Sequence, residues 1–316
     1  MKPSFSPRPS WLFALFFALL VAFPALATAE IRVVTTTADL AAMAQAILQD
    51  DGQVEALVRP SEDPHFVDPR PSFARHLNRA DMIVYVGMDL EIGWLPTLIE
   101  RARNPEIQRG RPGHFDASEF VQAMDMPSGR VDRSMGDVHP GGNPHYSTDP
   151  RQMARVALAF GRALGEIRPA MADEFRERSR EFARECIRFA QEWERKFAEI
   201  PKEDRKMVTY HKAWTYVAAW LDIEDVVHVE PKPGVPANPR HIAHVRDLIE
   251  AQEIGVILQL EYYPRTVANV LADRTKIQLL QVPAQTREDQ TYFEHMEQIV
   301  RPLFDLFKEI SDASQG

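Results

Sequence analysis

One run of sequence, Ile167 to Ile200, constrains the fold more than any other. It places apolar side chains at Met171, Phe175, Phe182, Cys186, Phe189, Trp193 and Phe197. Those spacings of three, four and seven form one stripe along an α-helix. The opposite face is almost entirely Arg and Glu, many of them one turn apart and able to pair. Pro169 stands where a first-turn proline is tolerated, and Pro201 stops the run. About thirty helical residues reach roughly 45 Å, longer than one lobe of a small α/β domain needs. Such a rod is either a long surface helix or a spine between two lobes. The segments on either side decide which.

Both flanks alternate strand with helix. Before the rod, Ile31–Val34, Val54–Val58 and the apolar run Met82–Gly87 read as strands. Ala38–Leu48, Pro71–Asn78, Glu91–Arg101 and a segment opened by Asp149-Pro150 read as helices. Residues 104–143 read as irregular, rich in Pro, Gly and Asp. After the rod, strands are predicted at Lys206–Tyr210, Val226–Val229, Gly255–Leu260 and Ile277–Val282. Helices are predicted at Lys212–Leu221, Pro239–Ala251, Pro264–Arg274 and about Asp289–Glu309, with Asn238 as an N-cap. The pattern predicts an α/β protein of two lobes, each a parallel sheet flanked by helices, joined by one long rigid helix. The boundaries are a signal peptide at 1–29, a first lobe at 30–166, the linking helix at 167–200 and a second lobe at 201–316. Ligands of such folds bind at the carboxyl ends of the strands, in the cleft between lobes.

Lys2 and Arg8 precede the apolar run from Trp11 to Phe23, and Ala27-Thr28-Ala29 follows. This is a cleavable secretory signal, cut before Glu30, which predicts a periplasmic protein. The net charge of −9 argues against a nucleic-acid partner. The single cysteine, Cys186, excludes an intramolecular disulfide and falls on the apolar stripe of the rod.

Three histidines stand where a cleft would need ligands. His65 follows Asp63-Pro64 in the loop after the second strand, His145 follows Asn143-Pro144, and His211 ends the first strand of the second half. A proline before each of the first two narrows the backbone that carries the imidazole. Neutral imidazole is a good ligand for zinc and its neighbours. His76, His114, His228, His241, His244 and His295 read as hydrogen-bonded structural residues. His139 shares the Gly-rich loop of His145 and reads as an outer-shell or lobe-closing residue.

The chain resembles the zinc/manganese-binding periplasmic solute receptors of bacterial ABC importers, of the zinc-uptake type. The resemblance rests on Asp63-Pro64-His65 with Pro69-Arg70-Pro71-Ser72, on Asn143-Pro144-His145 to Asp149-Pro150, and on Tyr210-His211-Lys212-Ala213-Trp214-Thr215-Tyr216. Glu230-Pro231 with Pro239 extends it, so that it covers essentially the whole mature chain. It implies one divalent metal between the lobes, zinc with manganese or iron as alternatives, carried as cargo and passed to an ABC permease by a monomer that is not an enzyme. It carries over His65, His145 and His211 as metal ligands, with a carboxylate completing the site. An ungapped match on Pro264 puts Gln259 at the usual carboxylate position. Glu261, two residues on, is therefore assigned as the fourth ligand, with Gln259, Glu62 or a water as alternatives. The His/Asp-rich loop of many zinc receptors is reduced to Asp125, Asp132, Asp137 and His139, an ordinary surface loop.

Three other functions compete, one of them a metal-dependent adhesin or stabilising partner on the same fold. An exported zinc hydrolase needs an open coordination position and a general base, for which Glu261 or Glu62 would serve. The chain has no His-Glu-x-x-His and no Gly-x-Ser-x-Gly motif. A receptor for an organic solute would use aromatic walls such as Trp214 and Tyr146, but no charged clamp accompanies them.

Overall fold

The apolar runs on either side of the rod pair into two four-stranded, all-parallel sheets. The first contains β1 (Ile31–Thr35), β2 (Gly52–Ala56), β3 (Met82–Tyr85) and β4 (His114–Asp116) in the order β2-β1-β3-β4. The second contains β5 (Lys206–Thr209), β6 (Glu224–His228), β7 (Val256–Leu260) and β8 (Gln278–Val282) in the equivalent order β6-β5-β7-β8. This computed structural model describes residues 30–129, 136 and 138–315. The expected signal segment at 1–29, Asp132 and Asp137 lie outside the described residues. Central strands are covered on both faces, so Val33, Ile83, Val84, Val208, Ile257 and Leu258 are all buried.

The helices of the first half are α1 (Ala38–Leu48), α2 (Pro71–Arg79), α3 (Leu95–Ala102) and α4 (Pro150–Ile167). The rod is α5 (Ala172–Phe197), and α6 (Thr215–Leu221), α7 (Pro239–Ala251), α8 (Thr266–Thr275) and α9 (Tyr292–Gln315) follow. The two α/β lobes with a long helix between them are as the sequence predicts. The rod starts five residues later than expected. Arg168 precedes Pro169 and is driven out of the helical region, to φ −131° and ψ 77°. A short 3₁₀ turn, Pro169–Met171, then joins α4 to α5.

The α4–α5 pair packs closely because Gly161 lacks a side chain. A Cβ there would lie 2.4 Å from Ser179 Oγ. The rod buries Phe175, Phe182, Cys186, Trp193 and Phe197, while its Arg and Lys residues pair with Glu along the outer face. It is tied to both halves. Arg178 Nη1 donates to Leu48 O at 3.0 Å and pairs with Asp51 at 2.7 Å. Ala190 O accepts from Trp220 Nε1 at 3.2 Å, and Phe189 packs on Trp220 and Phe293. One hydrophobic core therefore runs from Ile31 and Met82 through the rod to Val256 and Phe307.

Two expectations change in detail. The irregular stretch 104–143 contains β4, which pairs beside β3 through Ile83 and His114. The helix expected from Glu91 begins at Leu95. Glu91 instead turns inward, where its carboxylate accepts from Thr36 Oγ1 at 2.6 Å, Val86 N at 2.8 Å and Gly87 N at 3.1 Å.

Candidate metal centre

Each histidine of the predicted trio is carried by a turn at the end of a strand or at the start of a helix. His65 lies in the loop between β2 and α2. Asp63 Oδ1 accepts from His65 N at 3.0 Å, closing a small Asx turn, and also from His65 Nδ1 at 2.7 Å. Pro64 O accepts from the indole of the buried Trp94 at 3.1 Å, which pins the loop from behind. His145 sits at the end of the loop before α4. Its backbone N–H donates to Asn143 Oδ1 at 3.0 Å, and its carbonyl accepts from Thr148 Oγ1 at 2.8 Å. The next residue, Tyr146, is fully buried and donates to Val86 O at 2.8 Å. His211 follows β5 in a tight turn in which its carbonyl accepts from Ala213 N at 2.7 Å. Its Nδ1 donates to Glu230 Oε2 at 2.7 Å, and the same oxygen accepts from Gly234 N at 3.1 Å.

These three turns converge. His65, His145 and His211 each offer a nitrogen within 4.8 Å of the other two. Among the described residues, no other group of three or more potential metal ligands comes together. The ring centroids are 5.2 Å (His65–His145), 5.6 Å (His65–His211) and 5.3 Å (His145–His211) apart. With Nδ1 of His65 and His211 hydrogen-bonded to carboxylates, the proton is held on that nitrogen, and Nε2 keeps its lone pair for a ligand. His145 Nε2 is buried without a hydrogen-bond partner among the described residues. A buried imidazole nitrogen in that state is costly unless something binds it.

The electrostatics favour a neutral His145 beside an anionic Asp63. Burial, reinforced by the neighbouring imidazoles His65, His211 and His139, holds His145 well below the usual histidine value. Burial pushes Asp63 upward, but the hydrogen bond and charge of His65 outweigh it and leave the carboxyl below its ordinary value. His145 is thus ready to accept a cation without first losing a proton.

The fourth expected ligand is not brought to this group. Glu261 lies at the end of β7, and its Oε2 accepts from Arg287 Nη2 at 3.2 Å. Glu261 stands outside the group gathered here, ion-paired with a guanidinium from the loop before α9. The alternatives differ: Glu62 is paired elsewhere, while the buried Gln259 Oε1, the atom a metal would use, has no hydrogen-bond partner among the described residues. Glu62 pairs with Arg70 and accepts from Arg59 N at 3.1 Å, and Gln259 Nε2 donates to Tyr263 O at 3.2 Å.

The remaining histidines behave as structural residues. His114 Nδ1 donates to Ile107 O at 2.9 Å, His228 meets Thr209 Oγ1 at 2.8 Å, and His241 Nε2 donates to His228 O at 2.9 Å. His76 pairs with Glu55, and His295 lies against Asp39. His244 neighbours His241, their ring centroids 6.2 Å apart, without a third ligand. His139 is different. Its ring centroid is 5.3 Å from that of His65. The residue that sequence reasoning passed over is Asn143. Its amide turns the His145 loop and also donates to Lys212 O at 2.8 Å, a bond between the halves that spacing alone does not signal.

The family model described as zinc-uptake complex component A, periplasmic, matches residues 33–305. The chain is 24% identical over 279 residues to the high-affinity zinc uptake system protein ZnuA of Paracoccus denitrificans, covering 78% of this chain and 81% of that one. It is 25% identical over 228 residues to the iron-binding protein YfeA of Yersinia pestis, covering 72% and 68%. Among solved structures, the laminin-binding adhesin Lmb of Streptococcus agalactiae superimposes with a TM-score of 0.73 at 20% identity, covering 88% of this chain and all of that one. The manganese complex of FpvC from Pseudomonas aeruginosa gives 0.73 at 20% identity, covering 90% and 99%. The chain belongs to the zinc-uptake complex component A family, whose members are non-enzymatic substrate-binding proteins of ABC transporters.

Proposed function

We propose that this chain is a periplasmic receptor that captures one divalent metal ion, zinc foremost, on His65, His145 and His211 and passes it to an ABC permease. The observation that carries this reading is the convergence of three imidazoles within 4.8 Å, two of them oriented by carboxylates. Nitrogen donors suit zinc better than the harder manganese ion, which favours carboxylate and water. Relatives named for zinc, iron and manganese leave the choice of ion to the donor set. The amino-terminal segment 1–29 supplies export, the lobes 30–166 and 201–316 supply the ligands, and the helix 167–200 spaces them. The mature chain acts as a monomer. Release follows from proton competition and from loosening of the turns that carry the rings.

Mature protein titrated with zinc against a chromophoric chelator should bind one ion per chain. His65→Ala combined with His211→Ala should abolish tight binding. Stoichiometric tight binding retained by that double variant would overturn the proposal.

A further inference from the structure

We propose that His139 supplies a fourth imidazole to the bound ion, making the centre a four-histidine site. The inference deepens the metal-binding reading above and rests on it. Its first support is position. His139 stands 5.3 Å from His65, ring to ring, within the 5.2–5.6 Å spacing of the trio itself. With His145 and His211 it lines a cleft of about 520 Å³ that opens from the cluster. Its nitrogens stand outside the group gathered within 4.8 Å, so coordination requires a turn of the ring on its Cβ. A half-buried side chain beside an open cleft has room for that.

The second support is the state of five acidic side chains among the described residues. Asp63 is committed to His65 and Glu230 to His211 and Gly234 N. Glu62 is committed to Arg70, and Asp125 to Lys212, Thr215 and Asn143. Glu261 is committed to Arg287. Zinc bound by proteins is most often four-coordinate, so three imidazoles leave one position. His139 is the further imidazole that stands against the trio, ring to ring with His65.

The third support is the backbone. His139 O accepts from Gly142 N at 3.1 Å, closing a turn through Pro140 and Gly141. Gly142 takes φ +110°, a conformation that L side chains rarely adopt. The turn leads directly into Asn143-Pro144-His145. One short segment therefore delivers two imidazoles to the same side of the cleft. A site with four nitrogens and no carboxylate would favour zinc over manganese.

The test uses the mature chain loaded with cobalt(II), whose visible absorption reports coordination number and donor type, together with zinc competition titrations. Wild type, His139→Ala and His65→Ala are compared, with the melting temperature of each metal-free form as a check on folding. The proposal expects His139→Ala to change the cobalt spectrum. It also expects zinc affinity to fall at least about tenfold, the lower end of what loss of an orienting partner costs. An unchanged spectrum overturns the proposal, whether or not affinity falls, because His139 would then not be a ligand. If His139→Ala lowers the melting temperature, His139→Asn carries the same comparison. If His65→Ala also binds zinc as wild type does, the metal-binding reading itself fails, a result distinct from failure of His139 alone.

Discussion

His211 and Glu230 are joined by a hydrogen bond of 2.7 Å between Nδ1 and Oε2, with both side chains nearly excluded from solvent. Glu230 follows β6, 19 residues away along the chain. It holds the His211 tautomer, and its anionic charge raises the basicity of the ring as a ligand. Removing it leaves a buried N–H unpaired. Glu230→Ala should weaken zinc binding by about 10–100-fold, the cost of losing an orienting partner. It should leave one ion per chain, as counted by competition titration.

Asn143 links the two halves while shaping the His145 turn. Its Nδ2 donates to Lys212 O at 2.8 Å and to Thr215 Oγ1 at 3.2 Å, and its Oδ1 accepts from His145 N at 3.0 Å. Asn143→Ala leaves buried groups unsatisfied and should cost about 1–3 kcal/mol of stability. Urea denaturation of the metal-free protein reads that loss, and zinc affinity should fall in parallel.

Acid should both unload and destabilise the protein. His145 in the folded chain lies below its ordinary value of 6.5, chiefly through burial. The unfolded chain therefore takes up that proton at a higher pH than the folded one. The stability His145 contributes is present above about pH 6.5 and is lost as pH falls from there. The melting temperature of metal-free wild type should drop more between pH 7.5 and pH 5 than that of His145→Ala. Zinc affinity should weaken over the same window, because only neutral imidazoles bind. Equal pH slopes in the two proteins would rule this out.

Cys186 is fully buried on the rod, and burial pushes its thiol far above the ordinary value, with Glu185 adding to the effect. The thiolate is the reactive form. Native protein should show almost no reaction with a thiol reagent over minutes, and one thiol per chain should react in denaturant.

The two sheets and the rod were legible because their signals are dense. Continuous apolar strands such as Met82–Tyr85 and a seven-residue stripe on one helix leave few alternatives. The short β4 was not legible, since His114–Asp116 offers one buried apolar residue, Phe115, and forms because β3 is there to pair with. At the site, Pro64-His65 and Pro144-His145 mark themselves locally. Glu261 could not be judged from its own surroundings. Arg287, 26 residues later, pairs with it, and only the fold brings the two together.

The core that passes through the rod has a consequence for how the chain folds. Neither sheet has a complete hydrophobic boundary of its own, because Phe175, Phe182, Trp193 and Phe197 form a wall common to the central cluster. The lobes are therefore units of geometry and not of cooperativity. Cutting the chain after residue 166 would strip the first half of that wall and leave it aggregation-prone. The intact protein should melt in a single transition. Its two jaws share one core, so the gap between them is inherited from that core.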